Sequence, residues 1–87
     1  MSKEIFIVFI INERYTRWEI FNEKTTISDI FVLFKNKYNI EKCIAEIKDF
    51  FINKKVKGLL KDISPQGGSI YISTKDDNYV LEKDVVK

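Results

Sequence analysis

The spacing of hydrophobic residues changes along the chain, and each change predicts a different element. Residues 4–11 are almost continuously β-branched or aromatic, which predicts a central strand buried on much of both faces. Residues 15–21 alternate in polarity and predict a second strand with one solvated face. The connection at 12–14 is polar and short, which favours an antiparallel hairpin. The alternating positions are Thr16, Trp18 and Ile20 on one side and Arg17 and Glu19 on the other.

A helical period follows the hairpin. Between residues 26 and 38, apolar side chains recur at helical spacing, which at about 100° per residue places them on one stripe. Thr26 and Asp29 are spaced as in a capping box, and Asn39 is suited to the C-terminal end. The pattern therefore predicts a helix over 26–38 whose stripe faces the core. The stripe consists of Ile27, Ile30, Phe31, Phe34 and Tyr38.

Residues 40–52 fit two periods, and the details of the fold depend on which one applies. Ile40, Ile44, Ile47 and Phe51 have helical spacing. Ile47, Asp49 and Phe51 also fit a short strand. If this segment is extended, it adds to a mixed sheet of four to five strands packed on one main helix. If 40–52 is helical, the order is ββααβ with a possible further strand.

Turn residues divide the C-terminal part of the chain. Residues 65–68 (Pro-Gln-Gly-Gly) interrupt it, and residues 69–74 alternate as a strand. Residues 75–87 are charged but include apolar side chains. We expect this tail either to pair back as an edge strand or to remain loose.

Four segments, taken in chain order, carry a resemblance to a known fold: Ile5-Phe6-Ile7-Val8, Thr26-Ile27 with Ile30 and Phe34, residues 50–56, and Ile70-Tyr71-Ile72. Their order of hairpin, helix, short strands, apolar turn and final strand resembles the ubiquitin-like, or β-grasp, superfamily. The ubiquitin-fold modifier family is similar in four short matches: Met1-Ser2-Lys3, Lys37-Tyr38, Gly68-Ser69 and Lys75-Asp76-Asp77. The resemblance implies an α+β ubiquitin-like domain over 1–74, followed by the tail at 75–87.

The glycines depart from the pattern of conjugated ubiquitin-like proteins. Those proteins end in glycine after the last strand, because the reacting carboxylate must pass through a narrow enzyme tunnel. Here the pair Gly67-Gly68 precedes the last predicted strand, and no glycine follows it. The resemblance therefore implies a non-conjugating interaction module that binds another protein.

The composition favours binding over catalysis. The 87 residues are 45% hydrophobic with a formal charge of +2, which fits one small globular domain. With no histidine and the single cysteine Cys43, neither an enzyme nor a metal site nor a cofactor is expected. Because no intrachain disulfide can form, a reducing, cytoplasmic location is expected. The longest apolar run, Ile5–Ile11, is far shorter than the about 20 residues of a membrane span, so no membrane partner is expected.

The candidate binding surface is the sheet face turned away from the helix. Side chains alternate along a strand, so every second residue of the first strand faces outward. Several large apolar side chains on one sheet face usually mark an interface. The alternative is that the 75–87 tail covers this face. The resemblance implies a recognition patch of Phe6, Val8, Phe50 and Tyr71 with Lys54 at its rim.

Two further hypotheses use other features of the chain. The lysines between 48 and 61 are either solvated side chains around a turn or a basic patch for nucleic acid, with Tyr71 and Phe50 stacking on bases. Homo-oligomerisation through an open sheet edge or the apolar face is the other hypothesis, as in a dimeric adaptor or a small viral inhibitor. The basic patch would consist of Lys48, Lys54, Lys55, Lys57 and Lys61.

Overall fold

Five strands and two helices form the fold in a computed structural model that describes residues 3–76 and 78–81. The elements are β1 (Glu4–Ile11), β2 (Tyr15–Asn22), α1 (Ile27–Tyr38), β3 (Ile44–Ile47), β4 (Phe50–Ile52), α2 (Leu60–Ile63) and β5 (Gly68–Ser73). The strands lie in the order β2-β1-β5-β3-β4, with β1 and β5 parallel and the other neighbours antiparallel. The predicted α+β class and the mixed sheet are confirmed.

The alternative in which 40–52 is helical is wrong. Most of this segment forms β3 and β4, which are joined by Lys48 and Asp49 with φ of 49° and 69°. Two consecutive left-handed residues give the kind of tight turn that matches the twist of a hairpin. Ile44 and Ile47 would share a face in a helix, yet Ile47 is fully buried and Ile44 is 44% exposed.

The core lies between the inner face of the sheet and α1, and Phe9 is at its centre. The buried Phe9 ring makes edge-to-face contacts with Phe34, Tyr38 and Phe21, at centroid distances of 5.1, 6.0 and 6.1 Å. Such pairs contribute about 0.5–1.5 kcal/mol each beyond the burial of their area. The residues of β1 that share the inner face with Phe9 are all buried: Ile5, Ile7 and Ile11.

Helix α1 begins and ends as the sequence predicts. The Thr26 hydroxyl accepts a hydrogen bond from the Asp29 N–H, and the Asp29 carboxylate accepts one from the Thr26 N–H, both at 3.0 Å. Asn39 follows in the left-handed conformation, with φ of 58°, and ends the helix. All residues of the predicted stripe are buried. Neither helix of the described chain is long and apolar enough to cross a membrane.

Strand β2 turns Arg17 and Glu19 towards α1, together with Tyr15 and Phe21, and turns Trp18 and Ile20 towards solvent. In the β1–β2 register Glu19 is the partner of the fully buried Ile7, and Trp18 therefore faces outward. The Glu19 carboxylate accepts hydrogen bonds from the Tyr38 hydroxyl and from the Lys37 ammonium, the latter at 2.7 Å. These bonds satisfy the charge of Glu19, which makes its position on the inner face tolerable.

The first part of the C-terminal tail packs on the helix side of the sheet. The Tyr79 hydroxyl donates a hydrogen bond to the Tyr38 carbonyl oxygen at 2.6 Å, and the Tyr79 ring packs edge-on against Tyr15. Leu81 is also buried. Residues 78–81 thus close the inner side and do not cover the outer face. Asp77 and residues 82–87 lie outside the described residues, as does the part of the tail prediction that falls on them.

Gly67 allows the turn before β5 to lie directly against β1, and its replacement should be costly. Its φ is +83°, and a Cβ atom there would be 2.1 Å from the Phe6 carbonyl oxygen. Gly67→Ala is expected to lower the free energy of unfolding by about 3 kcal/mol or more, because it adds a backbone clash to backbone strain. Gly58→Ala is the matched control: its φ of +136° is strained but its surroundings are open, so a loss of about 1–2 kcal/mol is expected. Urea unfolding measures both losses, and equal values would contradict the argument.

Deprotonation of the buried Tyr38 phenol should destabilise the folded protein in alkaline solution. Burial, followed by the hydrogen bond to Glu19, raises the pKa of Tyr38 well above its ordinary value of about 10. The unfolded chain therefore releases this proton first, so the stabilisation is complete below about pH 10 and is lost as the pH rises further. Tyr38→Phe should flatten the decline of the unfolding free energy between about pH 9 and 12. Tyr71→Phe, which removes a phenol from the other side of the sheet, is the matched control; identical slopes in all three proteins would refute the assignment.

Candidate functional site

The sheet face turned away from α1 is termed the open face. Cross-strand pairing places Ile20 beside Phe6, and Trp18 beside Val8. A longer row crosses every described strand, and it consists of Thr16, Ile10, Tyr71, Glu46 and Phe51. The apolar members of the open face are Phe6, Val8, Ile10, Trp18, Ile20, Ile44, Phe51 and Tyr71.

The large side chains of the open face are unusually accessible. Trp18 and Phe51 are each 69% exposed, and Ile20, Tyr71 and Phe6 are 51–58% exposed. Single exposed hydrophobic residues are common on protein surfaces, but adjacent ones on one sheet face are not. Tryptophan and tyrosine are also the residue types that most often dominate binding energy at protein interfaces. The open face thus has the chemistry of an interface core.

Charged groups are sparse at the centre of the open face. Within the part of the chain that the structure describes, Glu46 is the charged side chain in the long row, between Tyr71 and Phe51. At one end of the face a concavity of about 410 Å³ has Ile10 and Ile44 among its lining residues. Its charged lining residues besides Glu46 have both signs: Glu13, Arg14, Lys75 and Asp76. A surface of this kind suits a protein partner better than a polyanion, which requires a field of one sign.

The structure places three of the predicted patch residues together and separates a fourth from them. Phe6, Val8 and Tyr71 lie on the open face. Phe50 is the partner of the inward-facing Ile47, so it lies on the other side of the sheet, at an edge strand where it remains 63% exposed. The two-residue turn before β4 fixes this register, and a shift of one residue exchanges the faces. Phe51 takes the place expected for its neighbour.

Lys54 also lies away from the predicted rim. It lines a groove of about 260 Å³ beside α1, together with Val32 and Ile40. This groove is on the helix side, because its other lining residues come mainly from α1 and the segment that follows it. Lys54 therefore does not border the open face as expected.

The predicted basic patch does not coincide with the aromatic residues assigned to it. The lysines are exposed and lie in the β3–β4 turn, in the connection after β4 and on α2; they are Lys48, Lys54, Lys55, Lys57 and Lys61. Phe50 and Tyr71 lie on opposite sides of the sheet. These two rings therefore cannot stack on neighbouring bases from one surface.

Half of the apolar members of the open face could not be placed there from the sequence: Trp18, Ile20, Ile44 and Phe51. The alternation in β2 groups Trp18 with Ile20 on one side, but it does not show which side faces the core. Nothing in the sequence indicates that Glu19 has a partner inside the fold. The signal that could have identified them is the register itself: if Phe6 faces outward, its antiparallel partner Ile20 must do so too. The faces on which Ile44 and Phe51 lie depend on the turn at 48–49. This turn is hard to identify in the sequence because it contains neither glycine nor asparagine.

Reactive and metal-binding chemistry is weak in the described residues. No group of three or more His, Cys, Asp or Glu side chains that could hold a metal ion occurs among them. Cys43 is half-buried, and burial raises the pKa of its thiol, while the positive charge of Lys54 acts in the opposite direction. A thiol with a raised pKa is a poor nucleophile near neutral pH.

The exposure of Trp18 can be tested directly, because it is the single tryptophan of the chain. We expect the folded protein to emit near the wavelength of free tryptophan in water and to be quenched efficiently by acrylamide, since the indole is 69% exposed. Trp18→Phe with Tyr79→Trp, which moves the indole to a buried position, should emit at shorter wavelength. A blue-shifted, poorly quenched Trp18 in the native protein would mean that the open face is covered.

Sequence comparison supplies no relative from which a function could be transferred. No protein-family model matches the chain, and no curated protein is detectably similar to it. The functional interpretation therefore depends on the chemistry and geometry of the open face.

Proposed function

We propose that this chain is a ubiquitin-like interaction module that binds another protein through the open face and is not itself conjugated. The strand order and the position of α1 between β2 and β3 are compatible with a β-grasp fold. The Gly67-Gly68 pair supports the absence of conjugation, because Gly67 is buried against β1 at the entry to β5 rather than in an extended tail.

The observation that carries this proposal is the exposure of Phe6, Trp18, Ile20, Phe51 and Tyr71, at 51–69%, on one side of the same sheet. Complete burial of a large apolar side chain is worth about 1.5–3 kcal/mol, so the remaining exposure of these five is worth on the order of 5–8 kcal/mol. Association costs roughly 4–15 kcal/mol in lost freedom. Burial of these five side chains alone therefore does not give tight binding, and the partner must contribute apolar surface of its own or polar contacts.

Glu46 is the group on the open face that can select among apolar partners. It lies between Tyr71 and Phe51, where a bound protein would remove it from water. An unpaired carboxylate at that place would oppose binding by several kcal/mol. The partner is therefore expected to place a lysine, an arginine or a neutral donor over Glu46, among aromatic or aliphatic side chains.

Two neighbouring phenylalanines provide a matched test of the surface. Phe51→Ser and Phe50→Ser make the same chemical change at 69% and 63% exposed positions of β4, on opposite sides of the sheet. We expect Phe51→Ser to weaken the affinity for a protein captured by the wild-type chain about 10-fold or more, and Phe50→Ser to change it less than about 3-fold. Isothermal titration with the captured protein measures both, after thermal unfolding has shown that both variants are folded.

Trp18→Ser provides an independent check at the opposite end of the open face. The change removes the largest exposed side chain of β2 and should also weaken the affinity about 10-fold or more. A partner that is lost with Phe50→Ser but retained with Phe51→Ser and Trp18→Ser would place the binding surface elsewhere and refute the proposal.

A further inference from the structure

Among residues 3–76 and 78–81 no strand pairs with the outer edge of β2, which is termed the free edge and presents peptide groups that the sheet does not use. The Asn12 N–H donates to the Ile72 carbonyl oxygen of β5 at 2.7 Å. Asn12 directly follows β1, and N–H groups alternate in direction along a strand. The even-numbered residues of β1 therefore direct their N–H groups towards β5, and the odd-numbered residues direct theirs towards β2. Their β2 partners are odd-numbered as well, so the remaining residues direct their N–H and C=O groups away from the sheet. These residues are Thr16, Trp18 and Ile20.

A side-chain contact supports this assignment. The Arg17 guanidinium donates to the Thr16 carbonyl oxygen at 2.7 Å, as expected for a carbonyl that points out of the sheet. Strand β2 has eight residues and contains neither proline nor glycine. An uninterrupted edge of this length is a template for pairing with another strand.

The sequence of β2 is complementary to itself when two copies run antiparallel. If Trp18 lies opposite Trp18 on a two-fold axis, Arg17 lies opposite Glu19 twice, once on each side of the axis. The outward peptide groups then meet as well, because Thr16 lies opposite Ile20. At the ends, Tyr15 lies opposite Phe21, which forms an aromatic pair. We propose that a second copy of this chain pairs with the free edge of β2 in this register and joins the two sheets into one.

Other two-fold registers are less favourable. An axis at Arg17 places two arginines opposite each other, and an axis at Glu19 does the same for two glutamates; like charges directly opposite destabilise a strand pair. An axis at Thr16 or Ile20 shortens the paired segment, and Arg17 of one copy then no longer lies opposite Glu19 of the other. The register centred on Trp18 is the one that combines the longest pairing with opposite charges.

Arg17 has a different contact in each state. In the single chain it covers the Thr16 carbonyl and lies 5.9 Å from the centroid of the Tyr15 ring. In the pair it releases that carbonyl to the Ile20 N–H of the second copy and lies opposite Glu19 of that copy. Glu19 keeps Lys37 as an intrachain partner in both states. Because pairing must first displace the Arg17 guanidinium from the Thr16 carbonyl and carries the entropic cost of association, we expect a weak dimer that forms with increasing protein concentration.

This dimer uses the backbone of an edge and not the open face, so it does not depend on the proposed function. The open faces of the two copies remain accessible and become continuous, with the two Trp18 side chains at the seam. Loss of the dimer would leave the partner-binding surface of each copy in place.

Proline at an outward N–H tests the backbone pairing. Thr16→Pro removes an N–H that the β1–β2 pairing does not use, whereas Thr16→Val keeps it. Sedimentation equilibrium should show a monomer–dimer equilibrium for the wild-type chain and for Thr16→Val, and an association constant at least about 10-fold lower for Thr16→Pro. Circular dichroism of dilute Thr16→Pro should match the wild type. A wild-type chain that remains monomeric into the submillimolar range, or dimerisation unaffected by Thr16→Pro, would overturn the proposal.

Charge reversal and disulfide cross-linking can test the register without the introduction of a proline. Arg17→Glu should weaken dimerisation about 10-fold or more, whereas Arg14→Glu, the same change in net charge in the turn before β2, should alter it less than about 3-fold.

In a Cys43→Ser background, Trp18→Cys should cross-link under mild oxidation, because residues paired on the axis lie about 5.5 Å apart. Ile20→Cys should not, since its counterpart lies on the far side of the axis. Cross-linking at position 20 but not at 18, or equal effects of the two arginine changes, would refute this register.

Discussion

The pairing of β2 with β1 is the constraint on which the surface of this protein depends. It places Glu19 beside Ile7 in the core and turns Trp18 outward. Tyr38 and Lys37 at the end of α1 then satisfy the Glu19 carboxylate. A register shifted by one residue would bury Trp18 and Ile20 and would turn Arg17 and Glu19 onto the open face beside β1. The apolar part of the open face that β2 contributes is therefore a consequence of the same pairing that builds the hairpin.

The elements could be predicted because their signals are local. The capping box of Thr26 and Asp29, the stripe on α1 and the alternation in β2 each lie within a few residues, and the structure contains all three. The 40–52 segment stayed ambiguous because its periods overlap and its turn, Lys48-Asp49, has unusual residues for two left-handed conformations.

The candidate site was predictable only in part because it is assembled by long-range pairing. Phe6, Val8 and Tyr71 followed from the alternation along single strands. Phe50 was assigned to the wrong face, since the register of a three-residue strand depends on its turn. Lys54 was expected at the rim from the resemblance, but the connection after β4 carries it to the helix side instead.

The open face and the free edge of β2 meet at Trp18, so one strand serves two kinds of contact. Exposed aromatic side chains and an uncovered edge are both hazards for aggregation. The guanidinium of Arg17 on the Thr16 carbonyl partly covers the edge in the single chain. Glu46 similarly limits which proteins can bind the open face, because a partner that offers no hydrogen-bond donor must bury the unpaired charge of its carboxylate. Both charges allow binding while opposing indiscriminate association.

The most direct test of the open face as the binding surface is NMR cross-saturation from a bound protein partner to the deuterated chain. The amide signals of the open face should lose intensity on irradiation of the partner, in particular those at Val8, Trp18, Tyr71 and Phe51. Signals from the groove beside α1, including Val32 and Lys54, should be unaffected. Saturation concentrated at that groove, with the open face unchanged, would contradict the central claim.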